Sequence, residues 1–499
     1  MSKVVLFLPH YSGPPLGPPA GLLCLASSLL QRGVEVRIVD AAVDPDYLTA
    51  IERETEDALC FGVSLLTGPM IHGAINASER VKELHPDVQV VFGGWHPSLL
   101  ADQTLRESFV DAVVRNQGEL TFLELVLRLE NGQGLDGVSG CSFKCGGRIF
   151  HNPDRPVARI DALPFPAYDL VDFDAYERAS GERKLPFASS VGCPYACSYC
   201  TDTVFYGRRF NAYSARRVVD EVTQLVTRHH LNEVALLDSN FLVDGRRALE
   251  IARGFLEANL GFQWTFQAST DLLCRLSIDE VCLLGRSGVK HIGFGTESGS
   301  EQVLLRMNKF HQRVDDMFET ARKCRHAGIR TTFNLIFGYP GESDGDRRET
   351  FRVMGEIASE FDNVTFSPNV FTPYPGIPIW KELRSLGLKE PQRLVEWADY
   401  SLGSNVLPWM QGATYRNVKR SMFFFMLNNE LIKAARRSSA AAPVRLLRHA
   451  LRQILRWRLK HHCFDWPLEL LLFSIRNRLT MRRSLLTGQP LGHTLGETC

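Results

Sequence analysis

The chain has 499 residues, 44% hydrophobic and 23% charged, with a formal net charge of +1. That length carries about three domains, and the near-neutral balance excludes a global bias toward nucleic acid or acidic partners. Twelve scattered cysteines in so long a chain exclude a disulfide scaffold and suit a reducing cytoplasm.

Val4–Leu8 is a short apolar run ending at Pro9, the pattern of a buried parallel strand and too short for a secretory signal. A helix-period stretch, Leu22–Gln31, closes at Gly33 and leads to a second strand, Val34–Val39, with Asp40 at its end. Further strands are expected at Cys60–Leu65 and Val88–Phe92, each preceded by a helical pattern. Strand and helix alternating at this pitch predict a doubly wound parallel sheet over residues 1–145, with ligands bound beyond the strand C-termini. Ser64 and Thr67 follow the third strand, and Gly93-Gly94-Trp95-His96 follows the fourth. Paired glycines there admit close approach to the backbone, while the missing G-x-G-x-x-G after the first strand argues against a dinucleotide. Gly140-Cys-Ser-Phe-Lys-Cys-Gly-Gly reads as a hairpin, with Cys141 and Cys145 incidental to it.

Residues 146–183, with Pro153, Pro156, Pro164 and Pro166, read as a linker. From 184 to 388 the alternation resumes, with strands at Phe187–Val191, Glu233–Leu237, Phe262–Ala268, Lys290–Phe294, Arg330–Phe337 and Asn363–Pro368. Six βα units predict a partial (β/α)6 barrel of TIM type. Polar and glycine-rich residues gather at the strand C-termini, the rim where such barrels carry chemistry.

The first of these strands delivers Cys193-Pro-Tyr-Ala-Cys197-Ser-Tyr199-Cys200. A structural zinc site prefers four ligands in two separated pairs, and an electron-carrying cluster takes a fourth nearby cysteine; the next here is Cys274. Three thiolates on one loop can hold three irons of a 4Fe–4S cube and leave the fourth open.

This triplet resembles the signature of the radical S-adenosylmethionine (SAM) superfamily. The N-terminal elements Pro18-Pro19-Ala-Gly21, Ser64, Gly93-Gly94 and Asp111-Ala-Val-Val-Arg-Asn-Gln-Gly118-Glu119 resemble the cobalamin-binding domain that precedes many of its cores. The resemblance implies a 4Fe–4S cluster on Cys193, Cys197 and Cys200, and cobalamin at Ser64, Thr67, Gly93, Gly94, His96, Gly118 and Glu119. It places SAM at Tyr199, Asp238, Ser269, Thr296, Glu297, Ser298, Phe337 and Gly338. A strand-end glutamate such as Glu297 can equally cap a helix N-terminus. His10 precedes Tyr-Ser-Gly13, but Leu8 stands where the cobalt-binding D-x-H-x-x-G pattern has its aspartate, so His10 is not expected to ligate cobalt.

The expected reaction is reductive cleavage of SAM to a 5′-deoxyadenosyl radical, fed by an external one-electron donor of flavodoxin or ferredoxin type. C-methylation of an unactivated carbon in a lipid-like or specialised metabolite would follow. Two rivals are cyclisation or C–C coupling without methyl transfer, and a non-catalytic cobalamin or redox sensor. A methylthiotransferase would carry a second cysteine triplet, which Cys24 and Cys60 do not supply.

Residues 389–499 are expected to form a helical, basic domain. From Arg416 to Arg483 there are sixteen Lys/Arg against Glu430, Asp465 and Glu469. Leu446, Leu447, Ala450, Leu451, Ile454, Leu455 and Leu459 form one helical stripe, which either packs on the barrel or rests on an anionic membrane. No segment reaches the ~18 apolar residues of a membrane span, so the expected location is cytoplasmic, with peripheral membrane contact if the second reading holds. Nucleic acid is not expected, because no aromatics interleave with the basic residues.

Overall fold

The computed structural model describes residues 2–401, 404–436 and 442–464. The chain forms two compact units. One comprises residues 2–268, Leu283–Lys290 and Pro373–Ser401; the other Ser269–Cys282, His291–Thr372 and the described residues after 403.

In the first unit, β1 (Lys3–Leu8), β2 (Glu35–Asp40), β3 (Ala58–Ser64), β4 (Gln89–Gly93) and β5 (Ala112–Val114) are parallel neighbours in the order β2–β1–β3–β4–β5. Their apolar side chains are buried because helices cover both faces. These helices are α1 (Ala20–Leu30), α2 (Tyr47–Thr55), α3 (Met70–Leu84), α4 (Trp95–Leu99), α5 (Ala101–Leu105) and α6 (Glu119–Glu130). Leu22, Ala26 and Leu29 of α1 meet Phe122, Leu125 and Val126 of α6 in one core cluster. Strand order reverses between β1 and β3, so a crevice opens beyond Leu8 and Ser64, the ligand position of doubly wound folds. The expected hairpin is present: β6 (Cys141–Cys145) and β7 (Arg148–His151) pair antiparallel and continue the sheet from β5.

The expected linker is ordered structure. Its first residues belong to β7, and the remainder includes α7 (Phe173–Ser180). Ile160, Tyr168, Phe173 and Tyr176 are buried; the Tyr168 hydroxyl donates to the Pro186 carbonyl at 2.7 Å, and that of Tyr176 to Asp40 at 2.9 Å. Proline density marks the segment as a connection, and large side chains between the prolines anchor it.

The barrel strands divide between the units. In the first, β8 (Lys184–Phe187), β11 (Glu233–Leu236) and β12 (Gln263–Ala268) are parallel in the order β12–β11–β8, with the two-residue strands β9 (Ser190–Val191) and β10 (Asn211–Ala212) forming a separate antiparallel pair. Helices α8 (Asp202–Phe205), α9 (Ala215–His229) and α10 (Gly245–Ala258) lie between them in sequence. In the second, β13 (Val289–Glu297), β14 (Arg330–Phe337) and β15 (Val364–Val370) are parallel in the order β15–β14–β13. The helices here are α11 (Thr270–Arg275), the first residues of α12 (Ile278–Arg286), α13 (Glu301–Arg306), α14 (Asp315–His326) and α15 (Asp344–Glu360). The Ser343–Asp346 capping box fixes the start of α15.

After β15 the chain forms α16 (Trp380–Ser385), α17 (Gly412–Arg436) and α18 (Ala442–Lys460). The boundary expected at 388/389 falls within Pro373–Ser401, which clusters with the first unit. In that unit Trp397 donates to Gln103 at 2.7 Å, and Gln103 donates to the Pro391 carbonyl at 2.8 Å. In the second unit α17 covers β15: the Asn429 amide accepts from the Phe366 N–H at 3.0 Å and donates to its carbonyl at 2.6 Å. The expected C-terminal stripe is divided, since Leu455 and Leu459 are buried while Leu446, Leu451 and Ile454 are exposed. The side chain of Leu447, the apolar run Leu468–Phe473 and the acids Asp465 and Glu469 lie outside the described residues.

Candidate functional site

The cysteine loop is shaped by backbone before chemistry enters. Ser190 and Val191 pair with Ala212 and Asn211, and Gly192 then turns the chain at φ +76°. A Cβ on Gly192 would lie 2.1 Å from the Arg209 carbonyl oxygen, so only glycine fits. Cys193, Cys197 and Cys200 follow, none of them in a disulfide, with Cys197 buried and the other two half-buried. The Cys200 N–H closes a turn on the Cys197 carbonyl at 3.2 Å, and the Thr203 hydroxyl donates to the same carbonyl at 3.1 Å. Burial pushes the Cys193 thiol up, and pushes Cys200 up to about 12, with the charge of Asp202 and the neighbouring thiols adding to the latter.

Three mutually repelling thiols in a desolvated loop become thiolates only when a cationic centre balances them. The loop also supplies the donors that such sulfurs need: the Tyr195 N–H and the Asn240 side chain at Cys193, and the Asp202 N–H at Cys200. The donor set therefore fits an iron–sulfur cluster. Among the described residues no three His, Cys, Asp or Glu converge on a single metal ion.

Asp238 lies behind this loop and its oxygens are already engaged. Oδ1 accepts from the Ser189 N–H at 2.8 Å, and Oδ2 accepts from the Ser189 and Ser190 hydroxyls at 2.6 and 2.5 Å. Arg247 joins the network, donating to the Ser189 carbonyl at 2.8 Å, to its hydroxyl at 2.9 Å and to the Tyr213 carbonyl at 2.6 Å. Burial raises the Asp238 carboxyl despite these bonds. Through these bonds Asp238, expected at the SAM site, braces the strand that launches the cysteines, and the residues after it reach the loop. Ser239 bonds Asp202 and Asn240 bonds Cys193. Tyr199 is half-buried within the loop.

At the strand ends of the β1–β5 sheet, Ser64 pairs with Gly93, and both are half-buried with Gly94. Gly94 has φ +93°, and a Cβ there would lie 2.8 Å from the Leu65 carbonyl oxygen. Thr67 and His96 bond each other at 2.9 Å and are buried. The His96 ring lies edge-on to Trp397 at 5.8 Å, and burial lowers its pKa to about 3, keeping it neutral. This bond joins the turns after β3 and β4, while the buried Nε2 of His96 has no hydrogen-bond partner. Gly118 precedes α6, and Glu119 in its first turn has its carboxyl raised by burial. His10 is exposed. Trp95, directly after the glycine pair, stacks on Phe205 at 5.0 Å and meets Tyr206 edge-on at 6.0 Å. Phe205 lies in α8, immediately beyond Cys200, so the glycine turn and the cysteine loop touch within one folded unit.

In the second unit the polar strand-end side chains pair with one another. Glu297, at φ +60°, binds Lys309 at 3.0 Å with both side chains buried. It caps no helix. The Thr296 hydroxyl donates to the Asn334 carbonyl at 2.8 Å, the Thr296 carbonyl accepts from Gln312 at 2.9 Å, and Ser298 bonds Thr350 at 3.0 Å. Ser269 is buried at the start of α11. Phe337 stacks on Phe351 at 4.5 Å. The Gly338 peptide is clamped on both sides, its N–H on Glu342 at 2.6 Å and its carbonyl on the Trp409 indole at 2.9 Å. Burial raises the Glu342 carboxyl to about 7, outweighing the Gly338 N–H and the Arg347 guanidinium. Lys309, Gln312 and Trp409 carried no sequence signal. Asn240 and Glu342 follow expected strands, in Asp238-Ser-Asn-Phe and Gly338-Tyr-Pro-Gly-Glu, but had no assigned role.

The B12 binding domain model matches residues 13–126, and the Radical SAM superfamily model matches residues 188–354. An uncharacterised methyltransferase, PH0819 of Pyrococcus horikoshii, is 30% identical over 73% of this chain and 78% of its own. The anaerobic magnesium-protoporphyrin IX monomethyl ester cyclase of Rubrivivax gelatinosus is 25% identical over 73% of this chain, which spans 66% of that protein. The hopanoid C-3 methylase of Methylococcus capsulatus is 26% identical over 72% of this chain and 68% of its own. Among solved structures, the radical SAM methyltransferase TsrM from Kitasatospora setae with cobalamin and cluster bound aligns with a TM-score of 0.66 at 20% identity, covering 77% and 75% of the two chains. OxsB with aqua-cobalamin bound aligns with a TM-score of 0.70 at 15% identity, covering 96% and 76%. The expected fold class, a Rossmann-like sheet followed by a radical SAM barrel, is borne out. This chain belongs to the cobalamin-dependent radical SAM enzymes, the family of these methyltransferases and cyclases. Its cofactors are a 4Fe–4S cluster, SAM and cobalamin.

Proposed function

We propose that the enzyme C-methylates an unactivated carbon of a lipid-like or specialised-metabolite substrate, using an external one-electron donor. The observation that carries this reading is the Trp95–Phe205 stack, which ties a cobalamin-type glycine turn to the helix following the third cysteine. A methyl carrier and a radical source are useful together only when their loops are held in register. When bound, the cluster with SAM supplies a hydrogen-abstracting radical, and cobalamin supplies a transferable methyl group.

In this reading Cys193, Cys197 and Cys200 hold three irons, and Asn240 with two backbone N–H groups stabilises the sulfurs. Asp238 and Arg247 keep the loop's incoming strand rigid. Ser64, Gly93 and Gly94 leave room for the cobalamin tail, while Thr67 and His96 hold that turn's shape. Tyr199, Ser269, Thr296–Ser298, Phe337 and Gly338 are assigned to SAM, with the second-unit residues offering mainly backbone because their polar side chains already have partners.

Methylation is favoured over cyclisation by the similarity to PH0819, while the similarity to cyclases keeps the second reaction as the rival. The test is turnover of the anaerobically reconstituted, reduced enzyme with methyl-deuterated SAM, using metabolites from cells with and without the protein. Deuterium in a product heavier by one methylene supports methylation. Formation of 5′-deoxyadenosine with an unlabelled product establishes the rival. Absence of any reductive SAM cleavage sinks both and leaves a non-catalytic sensor.

A further inference from the structure

Helix α18 carries Arg445, Arg448, Arg452, Arg456, Arg458 and Lys460 and no acidic residue. One side of it is committed to the second unit. Leu455 and Leu459 are buried, and the Leu459 carbonyl lies 2.4 Å from where a Cβ on Gly355 would stand, a close crossing with α15. Arg456 donates to the Ala358 carbonyl at 3.2 Å, and the Arg458 guanidinium sits 4.7 Å from the Phe424 ring.

The opposite side is apolar and turned to solvent. Leu446, Ile454, Trp457 and Leu451 are 72, 55, 57 and 42% exposed. At 3.6 residues per turn, Leu446, Trp457 and Ile454 fall within roughly a quarter of the circumference, and Leu451 extends the stripe beyond Ile454. Single exposed leucines are ordinary, but an aligned stripe on one helix marks a surface that something covers.

The charges around the stripe identify what covers it. We propose that α18 lies flat on an anionic lipid surface, with Leu446, Ile454 and Trp457 in the acyl boundary and the net positive charge of a helix that holds six Arg/Lys and no acid drawing it there. Tryptophan has an apolar body and a polar edge, which suits that boundary. A second copy meeting the same face would bring two all-cationic helices together. The chain's own residues 465–499 hold Arg476, Arg478, Arg482 and Arg483 against three acids, so their charge does not complement the helix either. The apolar stripe has no use on a nucleic-acid backbone. No described helix is long and apolar enough to cross a membrane, so the contact is peripheral. A surface of this kind would admit the enzyme to substrates that partition into lipid.

The test is co-sedimentation of the full-length protein with phosphatidylcholine vesicles, with and without about 30% phosphatidylserine. Binding to the anionic vesicles should weaken as salt rises from about 0.05 to 0.5 M. The double variant I454E/W457E changes only exposed positions and should reduce partitioning by more than about tenfold while leaving the melting temperature and iron content unchanged. No binding to anionic vesicles at low salt overturns the proposal, as does binding indifferent to the double variant. A vesicle-free oligomer that the variant dissociates gives the face to a second copy and also overturns it. So does shielding of Trp457 from acrylamide in vesicle-free monomer, read as the quenching difference between wild type and W457F. None of these outcomes bears on the labelled-methyl experiment.

Discussion

The cysteine loop and the strand ends of the second unit build sites in opposite ways. At the loop, the chain's own hydrogen bonds fix the strand behind the thiols, through Asp238, Ser189, Ser190 and Arg247, and leave three sulfurs for a metal cluster. At Thr296–Ser298 and Gly338 the polar side chains bond one another or the backbone, and what faces outward is mainly shaped main chain. The first site is defined by its chemistry and the second by its form. Damage to the first should appear in metal content, and damage to the second in stability.

The largest effect should come from Asp238→Ala. It leaves two serine hydroxyls and the Ser189 N–H without their acceptor and the buried Arg247 without a nearby counter-charge, at a cost of about 3–5 kcal/mol, and iron bound after reconstitution should fall with the melting temperature. Iron retained at wild-type level in folded D238A would break the contrast. Lys309→Met should cost slightly less, about 3 kcal/mol, by stranding the buried Glu297 carboxylate, yet the iron content per folded molecule should stay intact. The double variant K309M/E297Q should recover most of that loss in calorimetry, because no buried charge remains.

The smallest effect sharpens the comparison by titration. Glu342 has a carboxyl near 7 in the fold against 4.5 when exposed. Its contribution to stability is therefore complete below pH 4.5 and is lost as pH rises through 7, by at most roughly 3 kcal/mol. Glu342→Gln should flatten the melting temperature between pH 5 and 8, by about the same amount. An unchanged slope would show that Glu342 is already ionised against Arg347.

The sequence carried the strands well wherever burial on both faces made the pattern continuous. Arg330–Phe337 was expected and found with the same bounds. Phe187–Val191 was read as one strand, but the chain breaks after Phe187, and Ser189 turns to Asp238. Alternation of residue types cannot show a hydrogen bond to a residue 49 positions away. The same limit hid Lys309 and Trp409, which acquire partners only through long-range topology. The cysteines were legible because their function resides in side-chain identity and spacing. Residues 146–183 were read as a linker from their prolines, which gave no sign that Tyr168, Phe173 and Tyr176 within them are buried.

The Asn429 amide has a consequence for how the molecule behaves in a crowded cell. By answering both the N–H and the carbonyl of Phe366, it performs the task of a neighbouring strand with a single side chain. Intruding peptides find that flank already occupied, so self-templated stacking has no foothold at Phe366. An aliphatic replacement at 429 would unblock it and favour inclusion bodies during synthesis.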